Sequence, residues 1–329
     1  MVGKEAWRWA HAAGKGANGM RNKRMAIWMA ALGLLTAAPL MGQAIDQGQA
    51  VVTVLPKVDG QLPASVTQQD LAVKVNGKNA KVTHWAPIEA PDNQIELVLL
   101  IDSGARGSLG RQMQDIEQFI GSLAPNVEAG IAYMENGQAV FAAPLSSNHA
   151  QILKNLHLPG GGMGASSSPY FCLSSLAKNW PGQNPAARRE VLMVTDGVDP
   201  YERDLDPDDP YVDTAIKDAT RARLVVYSIY WVNQGRADST ATANNIGQSL
   251  LEVVSQATGG KSFWQGMGNP VSFQPYFEDL SRRFRNQWEL EFTSEQQGKP
   301  GVEEMRLKLH APGTEIDAPE KVLMVQEAK

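Results

Sequence analysis

Two aspartates stand where a folded chain could bring carboxylates together. Asp102 closes the apolar run Leu97-Val98-Leu99-Leu100-Ile101, and Asp196 follows Val191-Leu192-Met193-Val194-Thr195. Each run is apolar at consecutive positions, as expected of a strand buried on both faces of a parallel sheet. Ligands of such sheets bind in the crevice beyond the carboxyl ends of the strands, so these two aspartates are candidates for one site. They could hold a hard divalent cation, which asks for oxygen ligands. They could equally cap the loops that begin there.

Three other clusters could carry chemistry. Asp196, Asp199, Glu202, Asp204, Asp206, Asp208, Asp209 and Asp213 crowd into eighteen residues, stiffened by Pro200, Pro207 and Pro210. Clustered carboxylates suit Ca²⁺, so Asp199, Glu202, Asp204, Asp206, Asp208 and Asp209 are expected to form a calcium site or an acidic contact for a partner. The spacing is not that of an EF-hand, and a solvated, extended loop is the plainer reading. Ser175-x-x-Lys178 has the S-x-x-K spacing of a serine–lysine hydrolase, without the S-D-N and K-T-G elements that should accompany it. The Gly160–Gly164 run lacks the Gly-Lys-Ser/Thr of a phosphate loop and reads as a tight connection. The single cysteine, Cys172, falls on the apolar side of a helix and is expected to be buried and inert.

The elements that must position these residues are legible from periodicity. Leu71–Val75 alternates apolar with polar up to Asn76-Gly77, a hairpin signal, and Val82-Thr83-His84-Trp85 returns on the far side. Beyond Ala90-Pro91-Asp92-Asn93 the texture changes to alternating strands and helices. Leu109, Met113, Ile116, Ile120 and Leu123 share one helical face. Asn136-Gly137 turns the chain into an antiparallel edge strand at Ala139–Ala143. Ser168-Pro169 starts a helix running to Asn179, and Leu224–Val232 reads as a strand. Ile246 to Val254 mark a helix closed by Gly259-Gly260, and Phe273 to Phe284 mark another. Trp288–Phe292, Met305–Leu309 and Val322–Val325 alternate again as strands. The expected fold is α/β, a doubly wound, mostly parallel sheet with helices on both faces and flanking β segments at each end.

The ends of the chain differ in charge. Residues 1–44 hold Lys4, Arg8, Lys15, Arg21, Lys23 and Arg24 against Glu5, so removing them deepens the net charge from -5 to about -10. That balance gives no footprint for nucleic acid. Arg21, Lys23 and Arg24 precede the apolar run Met25–Leu40 and the small residues Gly42-Gln43-Ala44, the layout of a secretory signal. The run is short for a membrane span, so a membrane is touched only through an uncleaved signal. The expected location is periplasmic or extracellular. With one cysteine, no internal disulfide can form.

The order of these elements, with Leu97–Ser103 opening it, Val194-Thr195-Asp196-Gly197 midway and Thr258–Trp264 near its end, resembles a von Willebrand factor A-type (VWA) domain of the exported bacterial kind. Val75-Asn76-Gly77-Lys78 before it, and Phe284–Leu290 leading into a β extension, are similar to the flanks of that family. The resemblance covers residues 48–329. It implies a metal-ion-dependent adhesion site with the pattern D-x-S-x-S, a later threonine and a second aspartate. Asp102 and Asp196 match the two aspartates, and Ser103 lies inside the motif. The serine positions fall on Gly104 and Arg106, and the threonine position falls on Ser168, with Ser166 and Ser167 as alternatives. Two carboxylates and one hydroxyl make a poor Mg²⁺ cage, and Arg106 adds a permanent cation that suits carboxylates. Arg106 is therefore expected to pair with Asp102 or Asp196 in place of a metal. Asp102, Ser168 and Asp196 are the candidates should Mg²⁺ or Ca²⁺ bind; no other cofactor is expected.

The resulting division is a signal at 1–44, an N-terminal β segment at 45–92, a VWA domain at 93–286 and a C-terminal β extension at 287–329. The functional expectation is a non-enzymatic module that binds a protein partner through Asp102, Ser103, Gly104, Arg106, Ser168 and Asp196. The alternatives are an envelope-assembly component acting through its flanking β segments, and a hydrolase using Ser175 and Lys178.

Overall fold

The computed structural model describes residues 45–58, 61, 65–89, 93–160, 168–201, 209–232, 240–266, 268–295 and 301–326. The N-terminal basic and apolar segment, Ser166, Ser167, Glu202, Asp204, Asp206 and Asp208 lie outside the described residues. The elements are β1 (Ile45–Pro56), β2 (Leu71–Val75), β3 (Lys78–Pro87), β4 (Ile95–Asp102), α1 (Met113–Ser122), β5 (Val127–Glu135), β6 (Gln138–Ser146) and α2 (His149–Leu153). After them come α3 (Pro169–Lys178), β7 (Arg188–Thr195), α4 (Pro210–Arg221), β8 (Leu224–Tyr230), α5 (Ala241–Thr258), β9 (Ser262–Phe263) and α6 (Gln274–Phe284). The chain ends in β10 (Gln287–Glu295), β11 (Val302–Leu309), β12 (Thr314–Asp317) and β13 (Lys321–Gln326). Among the described residues, no helix is long and apolar enough to cross a membrane.

Six strands form one sheet in the order β6-β5-β4-β7-β8-β9. All pairs are parallel except β5 with β6, which are joined by the left-handed turn at Asn136 and Gly137. The layer is thus a mixed α/β sheet. Side chains alternate between its faces. Leu97, Leu99 and Ile101 pack with Ile116, Phe119 and Leu280 on the face covered by α1, α2 and α6. Val98 and Leu100 pack with Leu173, Ile216 and Val254 on the face covered by α3, α4 and α5. Two cores need apolar residues at consecutive positions, which explains the unbroken run Leu97–Ile101 within β4.

The flanking β segments do not stay apart. β1, β10, β3, β2, β11 and β13 pair antiparallel in a closed ring, and β12 adds to β1 at Thr53–Pro56. The α/β layer is therefore inserted between the two halves of one barrel. Val52, Val54, Val73, Val75, Leu290, Phe292, Met305 and Met324 fill its interior. Gly48 faces Phe292 across the ladder, and a Cβ there would lie 2.5 Å from the Phe292 ring. Closure leaves the ring strands without a free edge.

A buried polar seam joins barrel and sheet. Arg188 and Glu190, two residues apart on β7, share a face. Arg188 Nη1 donates to the Phe284 carbonyl at 3.0 Å and to Gln287 Oε1, and Nη2 donates to the Asn93 carbonyl at 3.0 Å. Gln287, the first residue of β10, donates through Nε2 to Glu190 Oε1 at 2.9 Å and to the Tyr227 hydroxyl at 3.3 Å. A second clamp is Arg283 of α6, 2% exposed, which donates to Asp279 Oδ2 at 2.7 Å and reaches Asp317 of β12.

Burial pushes the Glu190 carboxyl from 4.5 up to about 7, against the opposing pull of Arg188 and the Gln287 hydrogen bond. The folded state therefore holds this proton more tightly than the unfolded chain. Its stabilising contribution is full below about pH 4.5 and is lost as the pH rises through about 7, a change of roughly 3 kcal/mol. Glu190→Gln keeps the shape and removes the titration. Urea midpoints of the variant should decline less than those of the parent between about pH 5 and about pH 8, leaving the variant the more stable at the upper end. Identical pH slopes for both proteins would contradict the assignment.

Candidate binding face at the carboxyl ends of the sheet

β4 and β7 pair with Ile101 opposite Val194, so Asp102 and Asp196 leave the sheet at the same edge. Both are buried, at 3% and 1% exposure. Thr195 Oγ1 donates to Asp102 Oδ2 at 2.7 Å, and the Gly104 amide donates to Asp102 Oδ1 at 2.7 Å. Thr195 Oγ1 in turn accepts from the Gly197 amide at 3.3 Å, and Asp196 Oδ1 accepts from the Val198 amide at 3.0 Å. Helix α5 presses on this loop backbone to backbone. A Cβ on Gly247 would lie 2.2 Å from the Asp196 carbonyl oxygen, and Gly197 has a φ of 70° that favours glycine.

Ser168 caps α3, accepting from the Phe171 amide at 3.3 Å, and donates to Asp199 Oδ2 at 2.8 Å. Asp199 Oδ1 accepts from the Tyr201 amide at 2.8 Å, and the Tyr170 hydroxyl donates to the Gly197 carbonyl at 2.6 Å. Asp209 caps α4, accepting from the Tyr211 and Val212 amides at 2.7 and 3.4 Å. These contacts correct the expectation of a solvated acidic surface at Asp199 and Asp209. Both are buried acceptors, because the turn and the helix start that follow them present amides with no partner of their own.

Arg106 is a second correction. It sits at a kink in the 3-10 segment Ser103–Gln112, with φ 46° and ψ -145°. Its Nε is buried without a hydrogen-bond partner, and among the described residues no ion pair joins it to Asp102 or Asp196. The Asp102 oxygens are already engaged by Gly104 and Thr195, and the kink sets the direction of the arginine side chain. A non-glycine residue in this backbone region stores on the order of 1–3 kcal/mol. Ser103 is buried, and Gly104 contributes its amide. The donor set does not fit a six-oxygen cation cage, since Gly104 and Arg106 supply no side-chain oxygen and both Asp102 oxygens accept from the chain. Among the described residues, no group of three or more His, Cys, Asp or Glu side chains converges to hold a metal.

The Ser175–Lys178 pairing does not form. Lys178 Nζ lies 3.1 Å from Ser174 Oγ and 2.9 Å from Asp218 Oδ2, Ser174 Oγ donates to Asp218 at 2.5 Å, and Arg221 approaches the same carboxylate at 3.3 Å. Residues three and four apart are both neighbours on a helix, and Lys178 meets Ser174. The result is an ion-paired clamp between α3 and α4. Cys172 is buried in the core beside Leu173 and Leu176.

No local sequence pattern marks residues 264–266 and 268–273 as part of this face. Gln112 Nε2 donates to the Pro270 and Val271 carbonyls at 3.2 and 3.1 Å, and the Val232 amide donates to Asn269 Oδ1 at 2.6 Å. Gln248 Nε2 donates to the Gly266 carbonyl at 2.7 Å, while Asp115 Oδ2 accepts from Ser272 Oγ at 2.6 Å and the Phe273 amide at 2.8 Å. Trp231 Nε1 donates to Ser108 Oγ at 3.0 Å. The loops after β4, β8 and β9 are thereby tied to one another. On this pinned framework Trp264 is 48% and Val271 93% exposed.

No family model matches the sequence, and no curated protein matches it. Among solved structures, the chain is similar to an aerotolerance-related membrane protein from Bacteroides fragilis, at 11% identity over 58% of this chain and 98% of that one, with a TM-score of 0.42. It is also similar to the pilus adhesin SpaC from Lactobacillus rhamnosus GG in its open conformation, at 9% identity over 83% and 49%, with a TM-score of 0.43. A third likeness is to the SpRpn10 VWA domain, at 12% identity over 55% and 97%, with a TM-score of 0.36. Scores of 0.36 to 0.43 carry no argument, and the α/β assignment rests on strand order and register.

Proposed function

We propose that this chain is an exported, non-enzymatic interaction module that binds a protein partner with the loops at the carboxyl ends of its central strands, without a metal ion. One observation carries the reading: hydrogen bonds hold residues 264–266 and 268–273 in place while Trp264 and Val271 face solvent. Single exposed apolar residues are ordinary. An aromatic and an aliphatic side chain held out on a loop that needs no ordering are the features of an interface anchor. The strand order of the mixed sheet reverses between β4 and β7, and the loops that leave β4 and β7 at Asp102 and Asp196 lie at the same sheet edge as these loops, which supports a binding face there. The charge and hydropathy layout of residues 1–44 supports export to the periplasm or beyond. Assembly through the flanking strands is less well supported, because those strands pair with each other around a closed ring.

Two measurements test the reading. Extracts of the native host should yield a partner that binds the immobilised protein, and Trp264→Ala with Val271→Ser should weaken that binding on the order of tenfold or more. Exposed barrel variants such as Arg306→Ala with Lys308→Ala should leave it unchanged. The reverse pattern would move the interface to the barrel. Millimolar Mg²⁺ or Ca²⁺ should leave the thermal midpoint of the parent unmoved, since an ion that binds only the folded state must raise it. Gly104→Ser with Arg106→Ser should acquire such a rise. A clear rise in the parent would overturn metal independence.

A further inference from the structure

A crevice of about 280 Å³ opens at the amino ends of β7 and β8, the edge of the sheet opposite Asp102 and Asp196. Its walls come from both layers: β1, β10 and β13 of the barrel on one side, and the starts of β7 and β8 with the ends of α4 and α5 on the other. Val51, Leu224 and Leu323 supply apolar wall, and Arg188, Arg223 and Gln49 supply polar groups. Two further charged residues at the wall are already engaged. Lys321 Nζ lies 3.3 Å from Glu304, and Glu289 accepts from Gln49 and lies 3.9 Å from His84.

The two arginines are different. Arg188, 7% exposed, donates only to carbonyl and amide oxygens, and its Nε is buried without a hydrogen-bond partner. Arg223, held at a φ of 57°, donates to Gln49 Oε1 at 2.5 Å. Among the described residues, neither arginine forms an ion pair. The acid nearest Arg188 along its strand is Glu190, whose burial favours its neutral form. The crevice wall thus carries three cations, Arg188, Arg223 and Lys321, against one carboxylate, Glu289, next to apolar surface. A buried guanidinium met only by neutral acceptors is poorly compensated, and its planar fork matches a carboxylate.

We propose that this seam crevice binds a small apolar monocarboxylate, its carboxylate toward Arg188 and Arg223 and its hydrocarbon against Val51, Leu224 and Leu323. The volume lies just under the usual range for small-molecule sites, roughly 300–1,000 Å³, so the ligand is compact. Because both layers form the walls, an occupant would tie the barrel to the sheet. The inference is independent of the carboxyl-end face, and its failure leaves that reading untouched.

Calorimetry on the whole protein with octanoate, octanol and inorganic phosphate tests it. Octanoate should bind at one site, octanol at least tenfold more weakly, and phosphate without measurable heat. Arg223→Asn should weaken octanoate about tenfold while keeping the fold, since asparagine is at ease at positive φ. Leu323→Trp, at a half-buried wall position, should abolish binding by filling the crevice with the thermal midpoint retained. Absence of octanoate binding, equal binding of octanol, binding of phosphate, or octanoate binding that both variants leave unchanged would each overturn the proposal.

Discussion

The hydrogen bond from Thr195 to Asp102 exists only because β4 and β7 are neighbours in parallel register. That adjacency is enforced by burial on both faces, which selects apolar side chains at consecutive positions from Leu97 to Ile101 and stops where the strands leave the core. At that edge, buried backbone amides appear with no ladder to join, and each left unpaired costs on the order of 1–3 kcal/mol. Asp102, Asp196, Ser168, Asp199 and Asp209 are the acceptors that answer them. The carboxylates that would serve a cation in a metal site here hold loops in shape. Loops held in this way take their shape from the chain itself.

The same economy of polar groups governs the joint with the barrel. A ring whose halves are separated by the whole α/β layer can close only if that layer returns the chain close to its point of departure. Gln287 fixes the return, meeting Arg188, Glu190 and Tyr227 in the seam as β10 begins. Arg283 bridges α6 and β12 in parallel with it. Barrel and sheet are in this sense one structure, joined by the neutral amide of Gln287 and by the ionisable groups Arg188, Glu190 and Arg283.

Much of this was legible in the sequence, for physical reasons. Unbroken apolar runs located β4 and β7, helical periodicity located α1, α5 and α6, Ser168-Pro169 marked the start of α3, and Asn136-Gly137 marked the turn into β6. Alternation in Leu71–Val75 and Trp288–Phe292 showed that each strand has one buried face, but alternation names no partner. Because neither short segment can bury that face alone, the packing of the N- and C-terminal β segments on one another outside the main sheet was legible, but the pairing of β1 with β10 was not, and β12 is too short to announce itself. At the site, residue types suggested that Arg106 would meet a carboxylate. The outcome depended instead on which acceptors the neighbouring amides had already taken, and on a backbone kink that composition does not encode. The exposure of Trp264 and Val271 depends on pins from Gln112, Asn269 and Asp115. Tertiary contacts of this kind leave no local pattern.

The central claim is that the carboxyl-end face is set by the chain's own hydrogen bonds. Native-state amide exchange at Gly104, Gly197 and Val198, followed in chelator and again in millimolar Mg²⁺, tests it most directly. The account requires these amides to be protected in chelator, with protection that Mg²⁺ does not change. Rapid exchange in chelator that becomes slow when Mg²⁺ is added would show that a cation, and not Asp102 and Asp196 as capping acceptors, builds the face.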